Sequence, residues 1–143
     1  MSDWNDRIIA EFRANNGRVG GPFEGSTLLL LHTVGAKSGE PRVAPMMYFA
    51  EPEGIFVIAS KAGTPENPAW YHNLVAHPAV HVEQATAEGI AEFDATAEVV
   101  PRPERDRLFA RFSARAPGFA GYQAKTERII PVVQLHPVER TAP

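Results

Sequence analysis

Thirteen prolines and eleven glycines are scattered along the 143 residues, and they confine the chain to short elements joined by turns. Proline removes a backbone donor and fixes φ, while glycine releases it, so breakers this frequent point to many short elements joined by turns. No apolar run, Leu28 to Leu31 included, approaches the roughly 20 residues of a membrane span. No repeat or low-complexity tract is present. The length suits one domain, residues 1–143, with a core large enough to fold without staples.

Between the breakers the periodicities are readable. Ser2 or Asp3 can cap a first helix running to about Asn15, with Trp4, Ile8, Ile9 and Phe12 on one apolar face. A helix packed on the body is the expected outcome. The reading set against it is a mobile lid or membrane-surface helix over residues 1–15, since Trp and Phe suit an interface; the shortness of the stretch and its lack of positive excess argue the other way. After a breaker-rich loop, strands are predicted at Thr27–Val34, Arg42–Phe49 and Ile55–Ser60. Joined by short turns, they predict an antiparallel meander.

Asn67 followed by Pro68 is a strong helix start, and Trp70 and Leu74, four apart, should face the core before His77-Pro78 ends the helix. Two strands, Ala79–Gln84 and Glu88–Val99, flank a turn at 85–87. Alternation of Val80 and Val82 with His81 and Glu83 predicts one wet face. Pro103-Glu104-Arg105 opens a helix to about Arg115, burying Leu108, Phe109 and Phe112. Residues 116–125 read as an irregular loop, and Ile129–Leu135 as a last strand that Pro131 limits to an edge or a strand start. The sum is an α+β chain, mainly β: about six antiparallel strands in a small barrel with three or four short helices outside.

Charge narrows the function. A formal net charge of -3 leaves no basic excess for nucleic acid, so any anion recognition must be local. There are no cysteines, which removes disulfides, thiolate zinc sites and cysteine nucleophiles and fits a reducing cytoplasm. No apolar signal segment follows Met1.

The local cations are Lys37 and Arg42, in the Gly-bounded turn His32–Arg42, and Lys61, in Ser60-Lys61-Ala62-Gly63-Thr64. The first turn is no Walker A loop, because Ala36 separates Gly35 from Lys37. Hydroxyls, glycines and the helix start at Asn67-Pro68 nevertheless suit an anionic, phosphate-bearing ligand. His72, His77 and His81 are spaced by five and four, but a helix end, a proline and a strand intervene, so no metal site is expected. No Gly-x-Ser-x-Gly elbow exists, and Glu51 and Glu53 read as solvated turn residues. With no acid–base dyad, metal or nucleophile singled out, a bound cofactor is the natural carrier of any chemistry.

Two motifs and a tail carry a resemblance. The run Leu28 to Phe49, containing Thr33-Val34-Gly35-Ala36-Lys37-Ser38-Gly39-Glu40-Pro41-Arg42-Val43-Ala44-Pro45, resembles the deazaflavin-dependent nitroreductase family. So do Ala59 to Leu74, the following Ala76-His77-Pro78, and the tail Thr126 to Val133. The resemblance implies a split β-barrel and coenzyme F420, an 8-hydroxy-5-deazaflavin with a ribityl phosphate and a polyglutamate tail. It implies hydride transfer from the reduced cofactor to quinones, nitro compounds or unsaturated lactones such as coumarins and aflatoxins.

Carried over by position, Lys37, Ser38 and Arg42 would meet the phosphate and acidic tail. Val43, Pro45, Met47, Ala59, Ser60, Lys61 and Gly63 would line the cofactor, with Pro68, Trp70, Tyr71 and Asn73 framing the helix beside it. Trp4, Phe119 and Tyr122 would meet the acceptor, Tyr122 as a proton donor or contact. Nitroimidazole-activating relatives carry several tyrosines in this last region; here Ala116 and Phe119 stand at two such positions, which favours quinones or lactones. FMN on the same barrel is the alternative cofactor, and a non-catalytic F420 carrier the alternative function. The expected partner is a small-molecule electron acceptor, on a cytoplasmic monomer or weak dimer with peripheral membrane contact as the remaining question.

Overall fold

One residue, Tyr48, separates two strands that occupy opposite ends of the sheet, and this fixes the architecture. The computed structural model describes residues 3–20 and 27–138; the side chains of Asp3, Trp4 and Ala62 lie outside that description. The described chain runs α1 (Asp3–Ala14), β1 (Leu28–Val34), β2 (Pro41–Met47), β3 (Phe49–Glu51), β4 (Gly54–Ile58), a 3-10 turn (Lys61–Gly63), α2 (Ala69–Ala76), β5 (Ala79–Thr86), β6 (Gly89–Val99), α3 (Arg102–Arg115), α4 (Gly118–Ala124) and β7 (Val132–Pro137). The strands form one antiparallel sheet in the order β2-β1-β5-β6-β7-β4-β3. Because β2 and β3 are consecutive in sequence, the sheet must curl until its edges meet, giving a split barrel with a seam between β2 and the β3–β4 hairpin.

The expected barrel class is therefore observed, with corrections. Seven strands form among the described residues rather than six, because the predicted 42–49 strand breaks at Tyr48, whose hydroxyl donates to Ala85 O at 2.5 Å. The expected meander does not form: β1 and β2 make a hairpin, but β4 pairs with β3 and β7. Of the two places allowed to Pro131, the strand start is the one observed, directly before β7, which is central, between β6 and β4. Pro41 and Pro45 sit in β2, an edge strand, where a missing N–H breaks no ladder. The expected loop at 116–125 contains α4, which starts after Pro117 in αR geometry.

Strand alternation sorts the side chains into an inner and an outer layer. The inner cluster takes Leu29, Leu31, Val57, Val80, Val82, Val133 and Leu135, and α2 closes over it with Leu74. The outer face carries two separate patches. α1 covers one with Ile8 and Phe12 against Leu28, Leu30 and Ala85; α3 and α4 cover the other around Phe49, Phe56, Ile58 and Phe112. The first helix is thus packed on the body, Phe12 being fully buried.

Its arrival also corrects the wet face predicted for β5: Glu83 is buried, bonded by Arg13 of α1 at 2.7 Å and by His32 at 2.6 Å. His81 keeps a polar role between Asp94 and Glu92, at 2.9 and 3.1 Å. Glu51 is not solvated either: its side chain is 3% exposed and clasped by Arg111 and Arg115 of α3, which tie that helix to β3.

Candidate functional site

Strand directions decide whether the two cationic stretches converge. Every pairing in the sheet is antiparallel, so following the ladders from β1 through β5, β6 and β7 makes β4 run the same way as β1. The turn after β1 and the loop after β4 therefore leave the same end of the barrel. α2 enters β5 there, and α3 and α4 connect β6 to β7 across that end. The sequence alone leaves this convergence open.

The 35–40 turn is self-contained. Gly35 N donates to Glu40 O at 2.8 Å and Gly39 N to Gly35 O at 2.9 Å, with Gly39 at φ +72°. The Ser38 hydroxyl accepts from Glu40 N at 3.2 Å, leaving its own proton for another acceptor. A polar strut ties the turn to the barrel: buried Asn73 of α2 accepts from Ala36 N at 3.0 Å and donates to Thr33 Oγ1 at 3.2 Å. Asn73 thus joins α2 to the end of β1 and the turn that follows it. Lys37 and Lys61 are exposed and take part in no ion pair among the described residues, while Arg42 lies 3.5 Å from Glu40.

The loop after β4 is held differently. Asn67, expected as the helix cap, does not cap α2; Pro68 occupies that position, and the Asn67 side chain accepts from Arg128 Nη1 at 2.7 Å. Arg128 also donates to Thr64 O at 2.9 Å, Ala59 O at 3.2 Å and Ser60 O at 2.7 Å. Burial lowers the Arg128 pKa from its ordinary value. Gln123 of α4 joins this assembly: its amide donates to Arg128 O at 2.7 Å and accepts from Arg105 Nη2 at 2.6 Å and Ile130 N at 3.0 Å. Gly63, at φ +78°, lies so close to α4 that a Cβ there would stand 2.5 Å from Tyr122 O. Tyr122 is thereby fixed beside Ser60 and Lys61. Its ring meets Phe119 edge-on at 5.9 Å and lies under Lys125 Nζ at 5.7 Å.

Not all expected residues share a face. The register pairs Met47 with Leu28, Pro45 with Leu30 and Val43 with His32, so Val43, Pro45 and Met47 are outer residues, half-buried beside the α1 patch. Ser60 lies past the end of β4, and Phe119 and Tyr122 pack on the other outer patch. These residues flank the seam. Trp70 and Tyr71 instead pack on the inner cluster, and Ala59 is fully buried, its N–H bound to Pro131 O at 3.0 Å. The Trp4 side chain lies outside the described residues. Sequence reading misses the roles of Arg105, Gln123 and Arg128; no local signal marks them, since each acts on elements remote in sequence.

A groove of about 860 Å³ lies elsewhere, lined by Glu11, Asn15, Arg18, Thr27 and Thr86 among others. It sits at the start of β1, the opposite barrel end from the cations. It does not share the chemistry of the seam.

A curled antiparallel sheet open along one seam is the fold of the split-barrel reductases. The chain belongs to the F420H(2)-dependent quinone reductase family, whose profile matches residues 4–137, and its redox cofactor is accordingly coenzyme F420. An F420H(2)-dependent quinone reductase of Mycobacterium tuberculosis is 38% identical over 148 aligned positions, covering 94% of this chain and 97% of that protein. Among solved structures, an F420-H2 dependent reductase is 36% identical with a TM-score of 0.65, covering 76% of this chain and 93% of its own. A second solved structure, described as a domain-swapped dimer, is 32% identical with a TM-score of 0.67, covering 94% of this chain and 98% of its own. The resemblance drawn from the two motifs is borne out in fold and cofactor; the curated relatives carry quinone reductase names.

Proposed function

We propose that the protein reduces a quinone at the seam, with the cofactor's phosphate and acidic tail lying along Lys37, Ser38, Arg42 and Lys61. The observation that carries this is the convergence of the two cationic stretches at one barrel end, on a chain whose net charge is -3. The donor set fits the group: Lys37 and Lys61 have no carboxylate partner among the described residues, and Ser38 retains its proton. Reduced F420, when bound, supplies a hydride from C5 of its deazaflavin.

The chain's own residues orient and shield. Val43, Pro45 and Met47 offer a half-buried apolar floor, which suits the face of a flat ring. Phe119 and Tyr122 stand at the loop that presents Ser60 and Lys61, the place for an aromatic acceptor. The Tyr122 hydroxyl, which has no hydrogen-bond partner among the described residues, can donate a proton to the acceptor oxygen that gains charge. Ring-to-ring contact at roughly 3–3.5 Å is the geometry such a transfer requires. Nitro compounds and coumarin-type lactones are the secondary acceptors in this reading, and the protein works in the cytoplasm as a monomer or weak dimer. Among the described residues no helix is long and apolar enough to cross a membrane.

Fluorescence titration with F420 against FMN tests the cofactor assignment, and tighter binding of FMN would sink it. Turnover across a soluble quinone, a coumarin and a nitro compound should be fastest with the quinone. Binding without turnover of any of them marks a carrier instead. Tyr122→Phe should lower kcat with quinone; unchanged turnover at equal folding removes the proton-donor role.

A further inference from the structure

Arg128 uses a permanent charge in an unusual way. Its four hydrogen bonds to the 59–67 loop, at 2.7 to 3.2 Å, all go to neutral acceptors: three backbone carbonyls and the Asn67 amide oxygen. Among the described residues no carboxylate lies within ion-pair distance, and only desolvation perturbs its titration. A part-buried guanidinium normally finds a carboxylate, because leaving the charge uncompensated is costly.

The carbonyls it holds have a consequence for the other side of the loop. In a planar trans peptide the N–H points opposite to the C=O. Drawing Ala59 O and Ser60 O toward Arg128 therefore turns the N–H groups of Ser60 and Lys61 away from it. The backbone there is αR at Ser60 (φ -77°, ψ -41°) and left-handed at Lys61 (φ +44°). That alternation curls successive N–H groups into a nest that receives an anion. A left-handed φ costs a non-glycine residue about 1–2 kcal/mol, so something must hold it. Arg128 and the close packing of Gly63 on Tyr122 are the restraints present.

We infer that Arg128 is a positioning residue: it holds Ser60-Lys61 as a backbone anion nest and lends that nest its uncompensated charge, so that the phosphoryl end of the cofactor, rather than its ring, depends on it. The inference rests on the F420 reading and deepens it. The same Arg128–Gln123–Arg105 chain fixes α4, so the segment receiving the anion and the helix facing the acceptor form one unit.

The test is fluorescence titration of F420 and of its phosphate-free chromophore, 8-hydroxy-5-deazariboflavin, with wild type, Arg128→Met and Arg128→Lys, alongside melting curves. Arg128→Met should raise Kd for F420 by about tenfold or more, and for the phosphate-free chromophore by less than about threefold, the scale of lost charge-assisted bonds. Arg128→Lys, which keeps the charge but not the fork, should fall between. Equal weakening of both ligands would show a merely structural role and overturn the inference. So would wild-type affinity in Arg128→Lys, since charge without the clasp would then suffice. Absence of F420 binding to wild type overturns the cofactor reading and this inference with it, whereas wild-type binding with an unchanged ratio in Arg128→Met overturns this inference alone.

Discussion

Arg13 and Arg128 each pin a segment against the barrel, one on either side of the seam, and they use their charge in opposite ways. Arg13 reaches from α1 to Glu83 with two bonds, 3.2 and 2.7 Å, and its charge is neutralised on the spot. Arg128 holds the 59–67 loop through neutral oxygens and leaves its charge for whatever lies beyond. The first clasp is scaffold and titrates; the second has no group that titrates in the ordinary range. A charge meant for a ligand must be kept from the protein's own carboxylates. On a chain of net charge -3 that takes a burial of carbonyls around the guanidinium.

The harshest way to break the loop side is at Gly63. A Val there meets both φ +78° and the Tyr122 backbone. Left-handed strain and overpacking together should cost about 3–5 kcal/mol, read from the urea midpoint. Asn73→Ala is expected next, at about 2 kcal/mol, because Ala36 N and Thr33 Oγ1 lose their shared partner in a buried setting. It should leave the loop side intact, visible as unchanged amide exchange at residues 60–64.

Acid separates the two clasps. Glu83 has its pKa lowered from 4.5, chiefly by the Arg13 hydrogen bond against the opposing effect of burial, with His32 adding to it. Stability from a depressed carboxylate is fully present above the unfolded value and is lost as pH falls through the lower folded one. Glu83→Gln should therefore cost about 1 kcal/mol at neutral pH, discounted for the half-exposed Arg13, and nothing once wild-type Glu83 is protonated. Amide exchange below pH 4.5 should rise along α1 before it rises at 60–64. Simultaneous loosening would erase the contrast.

The mildest change sharpens it. Gly39 has nearly the same φ as Gly63, +72°, but a Cβ added there would meet nothing within 4 Å among the described residues. Gly39→Ala should cost about 0.5 kcal/mol, left-handed strain partly offset by a less flexible unfolded chain.

The same contrast explains what can be read from residues alone. The 35–42 turn closes on itself, so its glycines, serine and hairpin strands announce it within a dozen positions. Helix stripes such as Leu108, Phe109 and Phe112 are equally legible, being periodic. The clasp on the loop is not, because Arg128 lies 61 to 69 positions from Asn67, Ser60 and Ala59. α4 reads as a loop because Gly118 and Gly121 weaken its propensity, and its packing on Gly63 is tertiary. The pairing of β4 with β7 also rests on distant partners, so three consecutive strands read as a meander when only two of them pair. Trp70 and Tyr71 on the inner side show the remaining gap: a shared motif does not imply a shared face.

The central place of β7 sets an order of events as the chain leaves the ribosome. β4 presents a bare edge, and β6 another, until Val132 to Leu135 arrive to bridge them. The nascent chain carries one unpaired strand edge on β4 from residue 58 and a second on β6 from residue 99 until β7 is made. Joining them closes a loop spanning more than half of the residues, which makes the insertion of the final strand slow and late. Because Arg128 stands just before that strand, the anion nest at Ser60 and Lys61 takes shape only when the barrel does.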